Sequence, residues 1–236
     1  MKRVVIADSR RIEYTLIQTV RSSVLFQALP EGVIRVYAPK WMKLRDIDQM
    51  VRERAARLLE MGEAVDRKLD EDRRNHPVTD GSKILIEGVP HIIRLNQDAE
   101  SFGSVKNGAL NLTLPNPADD PAVRGLIRAT LSARALERIR ERVDHFAPRL
   151  GVHPGRITIR EQKTRWGSCS SKDNLNFNWK LIMAPPQVLD YVVIHELCHL
   201  IEFNHSPRFW ALVERQMPDY GAWKKWLDGH KEDLYL

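Results

Sequence analysis

The chain has 236 residues, 43% of them hydrophobic and 29% charged, which is enough for one sizeable core and a smaller companion and excludes a disordered or collagen-like protein. Its apolar runs, such as Val192-Val193-Ile194, fall far short of the roughly 18 residues that a membrane span requires. Lysine and arginine outnumber the acids by 37 to 31, and the net charge of +6 is only a hint of polyanionic partners.

The early run Val4-Val5-Ile6-Ala7 is shorter than the apolar core of a signal peptide and soon meets Arg10 and Arg11. Cys169 and Cys198 form no disulfide framework, so two thiols in a reducing compartment are expected, and the protein is expected in the cytoplasm.

Alternation through Tyr14, Leu16, Val24, Phe26, Val33, Ile34 and Val36, with turn residues at Arg21-Ser22-Ser23 and Pro30-Glu31-Gly32, predicts a small antiparallel sheet between Ile12 and Ala38. Ile47, Val51, Ala55, Leu58, Leu59 and Val65 recur at helical spacing and predict an amphipathic helix from Leu44 to about Asn75, with a bend at Gly62. Strands at Lys83 to Ile86, His91 to Leu95 and Ala109 to Leu114 are expected to enlarge the same sheet. A second long helix is predicted from Pro121 to Leu150. Arginines between Arg134 and Arg142 alternate with Glu137 and Glu141 and read as a solvated helix face. The extended run Arg156 to Gln162, the tract Arg165 to Ser171 and the alternating stretch Leu175 to Ile182 read as a long hairpin. Pro185-Pro186 opens a further helix, and shorter helices follow from Pro207 and about Tyr220. No internal repeat is read. The fold class is α+β, with residues 1–115 as a β-rich accessory region carrying one long helix and 116–236 as a catalytic region.

The chemistry is concentrated in His195-Glu196-Leu197-Cys198-His199. Positions four apart on a helix lie about 40° apart around the axis, so both imidazoles face one side and can hold one metal ion. Glu196 can reach a metal-bound water and take its proton, which is why the spacing recurs in zinc hydrolases.

A catalytic zinc site requires a third protein ligand and an open fourth position. His205 would face away from the metal on a continuous helix, but Asn204 and the pair Ser206-Pro207 signal a helix stop and a new start. His205 is therefore the favoured third ligand, and Glu214 on the next helix is the alternative. Cys198 is a lesser candidate, and Cys169 reads as a structural thiol. Glu202, Glu214 and Asp219 are carboxylates available to orient a ligand imidazole. Arg165 and Trp166 are candidates for lining a substrate cleft, Tyr220 is weighed as an oxyanion stabiliser, and Met217, Phe209, Trp210, Trp223 and Trp226 read as packing residues.

Taken together, Arg165-Trp166-Gly167-Ser168-Cys169-Ser170, Leu175-Asn176-Phe177-Asn178, the His195 to His199 segment and Asn204-His205-Ser206-Pro207-Arg208-Phe209-Trp210 resemble the YgjP-like metallopeptidase family. These motifs span about Arg156 to Trp226. The resemblance implies a zincin-like C-terminal region, one zinc held by His195, His199 and His205, and Glu196 as catalytic acid/base. The chain is also similar to SprT-like proteases but has no zinc-ribbon cysteines. It departs from the metzincin pattern at Glu202, where those enzymes carry a glycine.

The expected function is zinc-dependent hydrolysis of peptide bonds in a polypeptide substrate. One alternative is a metal-dependent pyrophosphohydrolase acting on a nucleotide such as UTP, for which Arg160, Lys163, Arg165, Lys172 and Arg208 supply charge. The other is a non-catalytic zinc-containing module that binds nucleic acid or protein.

Overall fold

The computed structural model of the protein describes residues 1–7, 10–29, 32–75, 77–162, 165–231 and 234. These residues form an α+β fold that divides into two compact units, Met1–Pro77 and Val78–Leu236. Pro30, Glu31 and Lys163, named above as turn or charged residues, lie outside the described residues.

The first unit contains β1 (Lys2–Ala7), β2 (Arg10–Thr19), β3 (Leu25–Ala28) and β4 (Ile34–Pro39) in the order β1-β2-β4-β3. Period-two alternation places Val5, Ile12, Tyr14, Leu16, Ile34 and Val36 in its core, where Ile47 and Val51 of α1 (Leu44–Glu53) and Ala55 and Leu58 of α2 (Ala55–Asn75) join them. The sheet is mixed rather than antiparallel. The β3–β4 hairpin folds so that β4, not β3, lies beside β2, and that pair is parallel. The helical segment breaks at Arg54, where φ and ψ reach −108° and 11°, whereas α2 runs through Gly62. Asp48 of α1 accepts from Arg3 Nε at 2.9 Å and from the Tyr14 hydroxyl at 2.5 Å, which joins α1 to the first two strands.

The second unit opens with β5 (Lys83–Ile86), β6 (Val89–Gln97), β7 (Phe102–Lys106) and β8 (Ala109–Leu114) in the order β5-β6-β8-β7. Its pairings repeat those of the first sheet: antiparallel, parallel, antiparallel. The expected single sheet is thus two sheets on one plan, a repeat of topology that the residue pattern does not display. Ile84, Ile86, Ile93, Leu110, Leu112 and Leu114 share a core with Val123, Ile127, Leu131, Ala135 and Ile139 of α3 (Asp120–Leu150). The chain divides into its two compact units between Pro77 and Val78, and β8 and α3 pack together within the second. Asp119 caps α3 by accepting from Ala122 N–H at 3.3 Å, and Gly151 ends it in the left-handed region at φ 68°.

A third sheet, β9 (Ile157–Arg160), β10 (Gly167–Cys169) and β11 (Leu175–Asn178), has the order β10-β11-β9. Only β10 and β11 form a hairpin, because β9 runs parallel to β11. The alternation that predicts strand as far as Ile182 ends at Asn178. Its side-chain oxygen accepts from Lys180 N–H at 3.2 Å and turns the chain into a 3-10 segment, Trp179–Met183. Helices α4 (Pro186–Cys198), α5 (Pro207–Gln216) and α6 (Tyr220–Gly229) complete the unit. The arginines of α3 pair outward as well as along the helix: Arg134 with Glu87 at 2.8 Å and Arg142 with Asp190 of α4 at 2.5 Å. Among the described residues, no helix is long and apolar enough to cross a membrane.

Candidate metal centre

Helix α4 is apolar on nearly every side, with Val188, Leu189, Val192, Val193, Ile194 and Leu197 all buried, so it lies within the core of its unit. His195 and His199 sit one turn apart at its C-terminal end, and His199 is the capping residue. The chain leaves the helix there. Ser206 restarts it by accepting from Phe209 N–H at 3.3 Å, with Pro207 in the first turn of α5. His205 is thereby held in the turn between the two helices.

Nε2 of His195 lies 3.2 Å from Nε2 of His199 and 3.0 Å from Nε2 of His205. Two metal–nitrogen bonds of about 2.05 Å meeting at a tetrahedral angle separate their nitrogens by roughly 3.3 Å, close to both of these spacings, and the ligand atoms of all three side chains lie within 4.8 Å of one another, near enough to hold a metal ion. Among the described residues this is the one group of histidine, cysteine, aspartate or glutamate side chains close enough to share an ion. Glu214, exposed on α5, and Cys198, buried beside α4's apolar residues, are not in it.

The electrostatics agree with a site for a cation. Burial, reinforced by the other two imidazoles, lowers the His195 pKa to about 3. Burial also lowers that of His199, against a hydrogen bond to the Glu202 carbonyl. Both rings are therefore neutral at physiological pH, as metal ligands must be. His199 Nδ1 donates to that carbonyl at 3.1 Å, leaving Nε2 with its lone pair facing the cluster. For His199 the acceptor is thus the backbone oxygen of Glu202 and not a carboxylate, His195 Nδ1 has no partner among the described residues, and Asp219 accepts from Trp223 Nε1 at 2.8 Å. Glu196 is 5% exposed, and its Oε2 has no hydrogen-bond partner among the described residues. Burial raises its carboxyl pKa to about 8, with the charge of Arg165 acting in the opposite direction. A divalent cation beside it would likewise favour the carboxylate.

Arg165 is exposed, and Trp166 is half-buried against the core, so the latter is in part the packing residue that a tryptophan at a hairpin corner suggests. Their loop is pinned by Asn178, which the sequence shows only as the end of a motif. Its Nδ2 donates to the Gln162 carbonyl at 2.9 Å, and its N–H donates to the Trp166 carbonyl at 2.8 Å. Burial pushes the Cys169 thiol up to about 11, consistent with a structural cysteine. Tyr220 stacks between Trp210 and Tyr191, with ring centroids 5.4 Å and 6.3 Å away.

Two imidazoles one helical turn apart, a carboxyl beside the first and a third imidazole in the following turn make the arrangement used by metal-dependent hydrolases with a His-Glu-x-x-His helix. The YgjP-like metallopeptidase domain matches residues 23–230, and the chain belongs to that family. Among solved structures, the metallopeptidase zymogen jannalysin of Methanocaldococcus jannaschii is similar at 24% identity, over 33% of this chain and 79% of that one, with a TM-score of 0.30. No curated protein sequence matches the chain.

Proposed function

We propose that the protein is a zinc-dependent peptidase in which His195, His199 and His205 hold the metal and Glu196 is the general acid/base. The observation that carries this reading is the convergence of three imidazole nitrogens one residue away from a buried carboxyl that has an unpartnered oxygen. Membership of a metallopeptidase family supports it independently. Bound at these nitrogens, zinc supplies Lewis acidity, lowering the pKa of water towards 7 and polarising a carbonyl.

The chain's own residues do the rest. Glu196 takes a proton from the attacking water and later gives it to the leaving amine nitrogen, so one side chain serves both halves of the reaction. The Glu202 carbonyl keeps His199 in the tautomer that presents Nε2. β10 lies at the edge of its sheet and runs past Glu196, so an extended polypeptide can add to it through main-chain hydrogen bonds, with Arg165 and Trp166 near the same end. Cys169 and Cys198 are free thiols and suit the cytoplasm.

The test is hydrolysis of a dye-labelled unstructured polypeptide and of UTP by one zinc-loaded preparation, with Glu196→Gln as the control. Glu196-dependent cleavage of the polypeptide is expected. Glu196-dependent release of pyrophosphate without cleavage of the polypeptide would replace this reading with the nucleotide one.

A further inference from the structure

Gly167 lies in β10 against the side chain of Glu196. A Cβ at this position would stand 2.5 Å from Oε1, 2.7 Å from Cγ and 2.8 Å from Cδ of that glutamate, closer than carbon and these atoms approach without displacement. The backbone does not ask for glycine here, because Gly167 is not among the glycines at positive φ. A glycine inside a strand otherwise weakens it relative to alanine. What the missing side chain supplies is room.

The room matters because of how Glu196 is held. Its carboxyl is buried, and Oε2 has no hydrogen-bond partner among the described residues, so contact with β10 takes part in fixing its place. Neither wall of the slot is free to retreat. Gly167 pairs across the hairpin with Phe177, which is 1% exposed, and the Asn178 N–H holds the Trp166 carbonyl at 2.8 Å. On the other side, α4 is embedded in the core of its unit. The element that can yield is the glutamate side chain, which would rotate out of the slot.

We propose that Gly167 is a positioning residue for Glu196: its bare Cα forms a slot in β10 that seats the carboxyl where the attacking water must lose its proton. The proposal rests on Glu196 being the acid/base of the reaction.

The test is Gly167→Ala, compared with wild type and Glu196→Gln. Its readouts are zinc content, thermal midpoint, kcat and KM on the dye-labelled polypeptide, and a crystal structure of the variant. The expected result is a folded protein with full zinc and nearly unchanged KM, whose kcat is lower by about a hundredfold or more, the usual scale of general acid/base assistance. In its crystal structure the Glu196 carboxyl is displaced from β10. Wild-type kcat in Gly167→Ala would overturn the proposal, and so would a structure in which Glu196 keeps its place while the strand moves. If Glu196→Gln hydrolyses at the wild-type rate, the acid/base reading itself fails. The crystal structure of Gly167→Ala still decides separately whether the glycine seats the carboxyl.

Discussion

The indole of Trp210 lies over the imidazole of His205, 24° from parallel with 5.6 Å between ring centroids, and Tyr220 stacks on the same indole at 14°. His199 is oriented by a hydrogen bond to a carbonyl, whereas His205, exposed in a turn, meets an aromatic face. Trp210 is therefore expected to set the third ligand's orientation. Trp210→Ala should weaken zinc affinity by about tenfold or more, the range seen when a ligand's supporting partner is lost. Trp210→Phe should recover most of it. Competition with a chelating dye measures both, and unchanged affinity in the alanine variant would remove this role.

The choice of third ligand makes its own prediction. His199→Ala and His205→Ala should each lose tight zinc binding, while Glu214→Ala should keep it, since Glu214 is outside the group of converging side chains. Elemental analysis of each variant after gel filtration checks this. The reverse order for His205 and Glu214 would mean that the helix restart at Ser206 does not serve the metal.

That restart is legible in the residues themselves. Asn204, Ser206 and Pro207 are local signals of a stop, a cap and a first turn, and the Ser206 side chain does accept from Phe209 N–H. Helix α4 is legible for the same reason, since its two imidazoles need only helical geometry to meet. What the sequence hides depends on neighbours distant along the chain. β7 carries Gly103 and Ser104, poor strand formers, and Gly103 is required because a Cβ there would collide with the Thr130 hydroxyl of α3. The parallel pairs β2–β4 and β6–β8 escape a reading of turn residues, which forecast only antiparallel neighbours. Alternation past Asn178 imitates a strand, but a side-chain cap closes it. Gly167 reads merely as part of a tract, and its reason lies across the site on Glu196.

The capping bond of Ser206 can be tested by stability. Ser206→Ala should lower the stability of the folded protein by about 1 kcal/mol, and Ser206→Asp should retain it, because aspartate accepts from the same amide. Paired denaturation curves show the difference. Equal midpoints for Ser206→Ala and wild type would mean that the α5 cap contributes nothing.

The first unit should be sensitive to acid through Asp48. Its hydrogen bond from Arg3 holds the carboxyl below the usual carboxylate range, against the effect of burial and with help from the Tyr14 hydroxyl. A depressed folded-state pKa contributes stability that is present above the unfolded value of about 3.9 and is lost as pH falls through the folded one. Asp48→Asn should therefore destabilise the protein by about 1–2 kcal/mol at neutral pH, because the amide offers Arg3 and Tyr14 one neutral acceptor in place of a charged carboxylate. The gap from wild type should narrow below about pH 4, where Asp48 takes up a proton in the unfolded chain before it does so in the folded one. Thermal midpoints from about pH 2.5 to about pH 7, on either side of the unfolded carboxylate value, check it. A gap that stays constant over that range would contradict the assignment.

That three histidines hold one zinc while Glu196 handles the proton is tested most directly by zinc content and polypeptide hydrolysis measured together on Glu196→Gln. The predicted result is one zinc per chain, as in wild type, and a rate lower by about a hundred- to ten-thousand-fold. Hydrolysis at the wild-type rate, or loss of the zinc, would contradict it.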